Sequence, residues 1–204
     1  MPSSEGRSVV APPQNIQGRR IMEDKAMRTE LSGLLSAAAI IALATSVHAQ
    51  KLSDADYMAK AMTAAPEAVA KGATVVAAMD GGAMRILQKG SNEWTCMIMP
   101  DDVPMCTDPA GMAWVHAVLT KTAPPDKVGF MYMLAGDNGT SNVAPGATGP
   151  TPDNHWVKTG PHVMILGPSV KMMAGYPRTL DPDPTKPYVM WPDTPYEHLM
   201  IPVK

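Results

Sequence analysis

The chain has 204 residues, with 17 Lys and Arg against 19 Asp and Glu, for a formal net charge of −2. Its charges are scattered and no basic run occurs, which argues against nucleic acid as a partner. A single Phe stands beside 18 Met and 21 Pro. Thioethers must therefore fill core space usually given to aromatic and aliphatic groups, and the prolines favour extended loops over a helical bundle.

Residues 1–26 read as a disordered extension, or as sequence upstream of a translation start at Met22 or Met27. Pro12-Pro13 and Gly18 break regular structure there, and Glu23-Asp24 spoil a twin-arginine reading of Arg19-Arg20. Residues 27–49 have the features of a signal peptide. Arg28 opens it, the run from Leu31 to Val47 is uncharged and apolar, and Val47-His48-Ala49 offers a small-residue exit before Gln50. The apolar run is short of the roughly 20 residues of a membrane-spanning helix. No Cys follows it to take a lipid. The expectation is a periplasmic or secreted protein with no stable membrane anchor after cleavage, and one α+β domain over residues 50–204.

In that domain Ser53 is a predicted helix N-cap, with Asp56 three residues on. The helix carries Tyr57, Ala61 and Met62 on one face and is interrupted at Pro66. Three short strands follow over residues 73–79, 83–89 and 93–99, parted by Asp80-Gly81-Gly82 and Gly90-Ser91-Asn92. They read as an antiparallel meander. Cys96 and Cys106 flank a short loop with two prolines, and in an exported protein they predict a disulfide. Asp108 or Thr107 caps a second helix with Pro109 at its first position. Met112, Val115 and Leu119 are its expected inner face. Residues 127–135 read as a central strand, and 136–160 as a long loop of the kind that is often functional. Residues 161–166, 188–191 and 198–203 read as closing strands, with a helical turn near Ser169. The fold class is thus a mostly antiparallel α+β sheet with two or three helices and long Pro-rich loops.

The chemistry-bearing pattern is a pair of similar strands, Pro161-His162-Val163-Met164 and Glu197-His198-Leu199-Met200. Side chains alternate faces along a strand, so each His-x-Met sets an imidazole and a thioether on one side. If the strands adjoin, His162, Met164, His198 and Met200 converge as a soft donor set that suits copper, Cu(I) above all. Met97-x-Met99 and Met131-x-Met133 repeat the spacing. A His–carboxylate pair, with Asp108, Glu93 or Asp137 as partner, is a second possibility for acid–base work. Glu197 cannot pair with His198, since neighbours on a strand face opposite ways. The aromatic loops add His155, Trp156, Trp191, Tyr196 and Glu197 as candidate ligand-binding residues. No G-x-S-x-G elbow, H-E-x-x-H or phosphate-cradling loop occurs. The leading expectation is an exported protein that binds a small ligand or metal ion, with copper the best metal. The alternatives are a hydrolase- or lyase-like enzyme at the same place, and an interaction module of the cell envelope.

Overall fold

The computed structural model describes residues 52–79 and 83–203. The expected extension, the signal peptide and the Asp80-Gly81-Gly82 turn lie outside the described residues. Helix α1, Asp54–Met62, starts as the sequence predicts. Ser53 Oγ accepts from the Asp56 N–H at 3.1 Å and donates to the Asp56 carboxylate at 2.6 Å. Pro66 interrupts the helical run, and α2, Glu67–Ala70, follows it. Among the described residues no helix is long and apolar enough to cross a membrane.

The strands are β1 (Thr74–Ala78), β2 (Met84–Gln88), β3 (Thr95–Ile98), β4 (Pro104–Thr107), β5 (Gly129–Met133), β6 (Thr140–Ser141), β7 (Trp156–Val157), β8 (His162–Leu166), β9 (Tyr188–Met190) and β10 (His198–Pro202). Eight form one sheet in the order β2-β1-β3-β4-β5-β8-β10-β9, while β6 and β7 pair as a small hairpin inside the long loop. The fold is α+β, and every pairing is antiparallel except β1 with β3.

That exception corrects the expected meander. The chain leaves β2, crosses the start of β1 and lays β3 on the far side of it. The crossing is fixed by Ser91 and Asn92 N–H groups on the Gly72 carbonyl and by Thr74 N–H on the Trp94 carbonyl. The physical reason lies in β1. Val75 and Val76 point to opposite faces and both are buried. Burial on both faces suits a strand in the interior of the sheet, where β1 lies between β2 and β3. β2, largely exposed, takes the sheet edge instead.

The register divides the sheet into two faces. Cys96, Cys106, Tyr132, Val163 and Ile201 are successive partners on the first. α1 packs there, with Ala61 against Cys96 and Cys106 in one apolar cluster. Cys96 and Cys106 are joined by a disulfide between directly opposed residues of β3 and β4, with Cα atoms 4.0 Å apart. The second face carries Met105, Met131, Met164, Tyr188 and Met200, and helix α3 (Pro109–Thr120) lies over it. Asp108 caps α3 by accepting from the Gly111 N–H at 2.7 Å. A Cβ on Gly129 would lie 2.6 Å from the Gly111 nitrogen, so the absent side chain lets the helix sit directly on β5. The inner side of α3 is centred on Trp114, Val115 and Ala117; the expected Val115 is buried and Met112 packs partly buried against the same cluster, while Leu119 is exposed.

The disulfide staples neighbouring strands across a ten-residue separation. Opening it through a Cys96→Ala/Cys106→Ala pair is expected to cost roughly 3 kcal/mol. Urea denaturation of the wild-type and double-variant proteins measures the loss.

Candidate functional site

β8 and β10 are adjacent, and their register sets Met164 opposite Met200, with His198 opposite Leu166 and His162 opposite Pro202. All four His-x-Met side chains therefore share the face beneath α3. They line a cavity of about 160 Å³, whose wall is mostly apolar. Five more thioethers join them: Met99, Met105, Met131, Met133 and Met190. Trp114 and Trp191 close one end. Their rings stack with centroids 5.8 Å apart, and the His198 ring meets both edge-on at 5.1 and 4.9 Å. Asp101 and Asp137 stand in the same wall.

The two histidines have the same local anchor. His162 Nδ1 lies 2.7 Å from the Gly160 carbonyl oxygen, and His198 Nδ1 lies 3.0 Å from that of Tyr196. A carbonyl only accepts, so each Nδ1 carries the hydrogen and donates it. Each Nε2 is then a bare lone pair. Both Nε2 atoms are buried without any hydrogen-bond partner, as is the Trp114 indole N–H. Such orphans are rare, because each costs about 1–3 kcal/mol. Burial pushes the His198 pKa down to about 4, outweighing its carbonyl bond. Burial also lowers His162, although the Gly160 bond and the charge of Asp137 oppose it. Asp137 is raised by burial, against the N–H bonds it accepts from Thr159 and Gly139. Of the three carboxylates considered from sequence, Asp137 is the one near a histidine, whereas Asp108 is committed to the α3 cap.

The long loop holds Trp191 in place. Asn142 is buried; its side-chain oxygen accepts from the Trp191 backbone N–H at 2.8 Å, and its amide donates to the Thr179 and Leu180 carbonyls. The Trp191 indole N–H donates to the Ser141 carbonyl at 2.7 Å. Trp191 itself has φ of 54°, an uncommon conformation for an aromatic residue. Two bonds from one hairpin thus fix the ring that walls the His198 end.

The other loop candidates are not brought to the cavity. His155 pairs with Asp181 at 2.9 Å. Trp156 lies against Gly139, where any Cβ would collide with its indole. Tyr196 donates to the Thr122 carbonyl at 2.9 Å, tying β10 to the end of α3. Glu197 is buried on the opposite side from His198. It pairs with Arg178 and accepts from the Asp193 N–H at 3.2 Å. Among the described residues no group of three or more His, Cys, Asp and Glu side chains is placed to hold a metal ion. The cavity's donors are two imidazoles, a set of thioethers and, in the same wall, the Asp101 and Asp137 carboxylates. Trp114, Met133 and Met190 were not singled out from sequence. Only Met131-x-Met133 hinted at one of them, through its repeat of the strand spacing.

Comparison with protein-family models, with curated protein sequences and with solved structures gave no match to this chain.

The His198 shift has a consequence for stability. Its pKa is near 4 when folded and about 6.5 when unfolded, so the unfolded chain takes up the proton first as pH falls. The stability present above pH ~6.5 is then lost progressively down to about pH 4, by on the order of 3 kcal/mol for this group. His198→Gln is expected to flatten that part of the profile. Urea midpoints measured from pH 7 to pH 4 in both proteins test it.

Proposed function

We propose that this is an exported protein that binds Cu(I) in the cavity between α3 and the sheet. The observation that carries this reading is the pair of buried imidazole Nε2 lone pairs, unpartnered in a wall that also carries seven thioethers. Borderline imidazole and soft thioether together favour Cu(I) over Mg²⁺ or Ca²⁺. Nδ1–H donation to a backbone carbonyl also fixes the tautomer and orientation that a metal-ligating histidine requires. The wall is mostly apolar, and its thioethers favour Cu(I) over Cu(II), although the Asp101 and Asp137 carboxylates also stand in it. Export is supported by the disulfide and by the pattern of residues 27–49.

Anaerobic titration with Cu(I) against the chromophoric chelator bicinchoninate tests the binding, with ascorbate as reductant so that the disulfide stays closed. The protein is expected to draw Cu(I) from the chelator. His162→Ala/His198→Ala is expected to abolish this, and Met164→Leu/Met200→Leu to weaken it at least about tenfold while preserving packing volume. Failure to compete for Cu(I), or retention of full affinity in the double-histidine variant, overturns the reading. Separately, N-terminal sequencing of the protein recovered from the cell envelope or medium is expected to begin at Gln50.

A second reading has one observation in its favour. The unpartnered Trp114 N–H is a donor beside two acceptors, a pattern that a small polar organic molecule would satisfy better than an ion. A ligand that raises the melting temperature of a chain unable to bind Cu(I) would select it.

A further inference from the structure

The β8–β10 pairing has a local two-fold relation that extends to its flanking strands. His162 has Met164 two residues on in its own strand and Met133 directly opposite on β5. His198 has Met200 two residues on and Met190 directly opposite on β9. All six side chains line the one cavity. We propose that the cavity holds two Cu(I) ions in two related sites, one made by His162, Met164 and Met133 and the other by His198, Met200 and Met190. This rests on the Cu(I) reading above.

The register makes a single ion shared by both imidazoles the poorer arrangement. His162 faces Pro202, and Pro202 is four residues along β10 from His198. That is about 13 Å of strand. Met164 and Met200 stand between them. Each imidazole is also drawn toward the N-terminal end of its own strand, by the carbonyl of Gly160 or of Tyr196. The strands are antiparallel, so the two anchors pull in opposite directions. The carbonyl anchors hold the two imidazoles at opposite ends of the pairing, although they remain near enough for their charges to interact. Taken singly, each end already offers one nitrogen and two sulfurs, a three-donor set of the soft type that Cu(I) favours.

The two ends differ in how they tolerate the added charge. Asp137 is close enough to His162 for their charges to interact, and lies in the cavity wall. At the other end the stacked indoles of Trp114 and Trp191 flank His198 and offer electron-rich rings to a cation. Two unit charges about 13 Å apart at an effective dielectric near 20 repel enough to weaken the second binding step on the order of tenfold.

The test is stoichiometry. The full chain is titrated anaerobically with Cu(I) against bicinchoninate, together with His162→Ala, His198→Ala, Met133→Leu and Met190→Leu. The expected result is two ions per chain, the second bound about tenfold more weakly, with each histidine variant retaining one. Each Met→Leu variant, which leaves the packing volume nearly unchanged, is expected to weaken one ion and spare the other. One ion per chain, lost alike in either histidine variant, overturns the two-site inference and leaves Cu(I) binding standing. One ion lost in only one of the histidine variants overturns it too, and assigns the site to that end. No bound Cu(I) removes both readings together.

Discussion

Five consecutive residue pairs join β8 to β10, and their register decides what the molecule can do. Side chains alternate with a period of two, so a slip of one residue would send the imidazole and thioether of one strand to the opposite face. That face is occupied near β8 to β10 by Val170, Val189 and Leu199, a small apolar cluster. Alternation enforces the register from both sides. His198 and Met200 face α3 because Leu199 between them is needed on the other side. The soft donors thus come as a consequence of how two apolar faces divide one strand.

The same face accepts a cost that most cores avoid. Two imidazole nitrogens and one indole N–H are buried without partners. Stability to carry that cost comes from elsewhere in the sheet. The opposite face holds the disulfide, and α1 is packed against it through alanines that permit close contact. Near β10, Glu197 is buried but paired with Arg178 and bonded to the Asp193 N–H. The cavity's own boundary is kept by the long loop through Asn142, whose side chain makes three bonds and holds Trp191 in an uncommon backbone conformation. Outside the cavity, Ser169 Oγ and the second carboxylate oxygen of Glu197 are also buried without partners; three of the five such atoms among the described residues, those of His162, His198 and Trp114, belong to residues that line the cavity.

Much of the framework is legible in the sequence because it is local. The Ser53 and Asp108 caps, the break at Pro66 and the Cys96–Cys106 pairing all depend on residues close in the chain. The His-x-Met spacing is local too, and it places each imidazole with its own thioether. What the sequence does not carry is which strands adjoin. The β1–β3 parallel pairing goes with burial of Val75 and Val76 on opposite faces, which a linear reading takes for the edge of a meander. Met133 and Met190 are partners of the histidines only through β5 and β9. Nothing near them in the chain marks them apart from the other methionines. Helical periodicity favours the Met112–Leu119 face, while the packing of α3 on the sheet centres burial on Trp114. Trp156, Tyr196 and Glu197 read as ligand contacts because they are aromatic and acidic residues in loops; their hydrogen bonds and packing partners set them away from the α3 cavity.

The abundance of Met beside one Phe also takes on a physical meaning in this arrangement. A core filled by Phe would have the same apolar character and no donors. Unbranched thioethers fill irregular space and keep rotamers that let sulfur turn inward or away. Met131, Met133, Met164, Met190 and Met200 line the cavity from four neighbouring strands without closing it. A wall of this kind can hold its shape as apolar core when empty and present sulfur when a soft cation enters. On the proposed Cu(I) reading, packing and coordination would be two uses of the same side chains, with the imidazoles marking the thioethers nearest the ion.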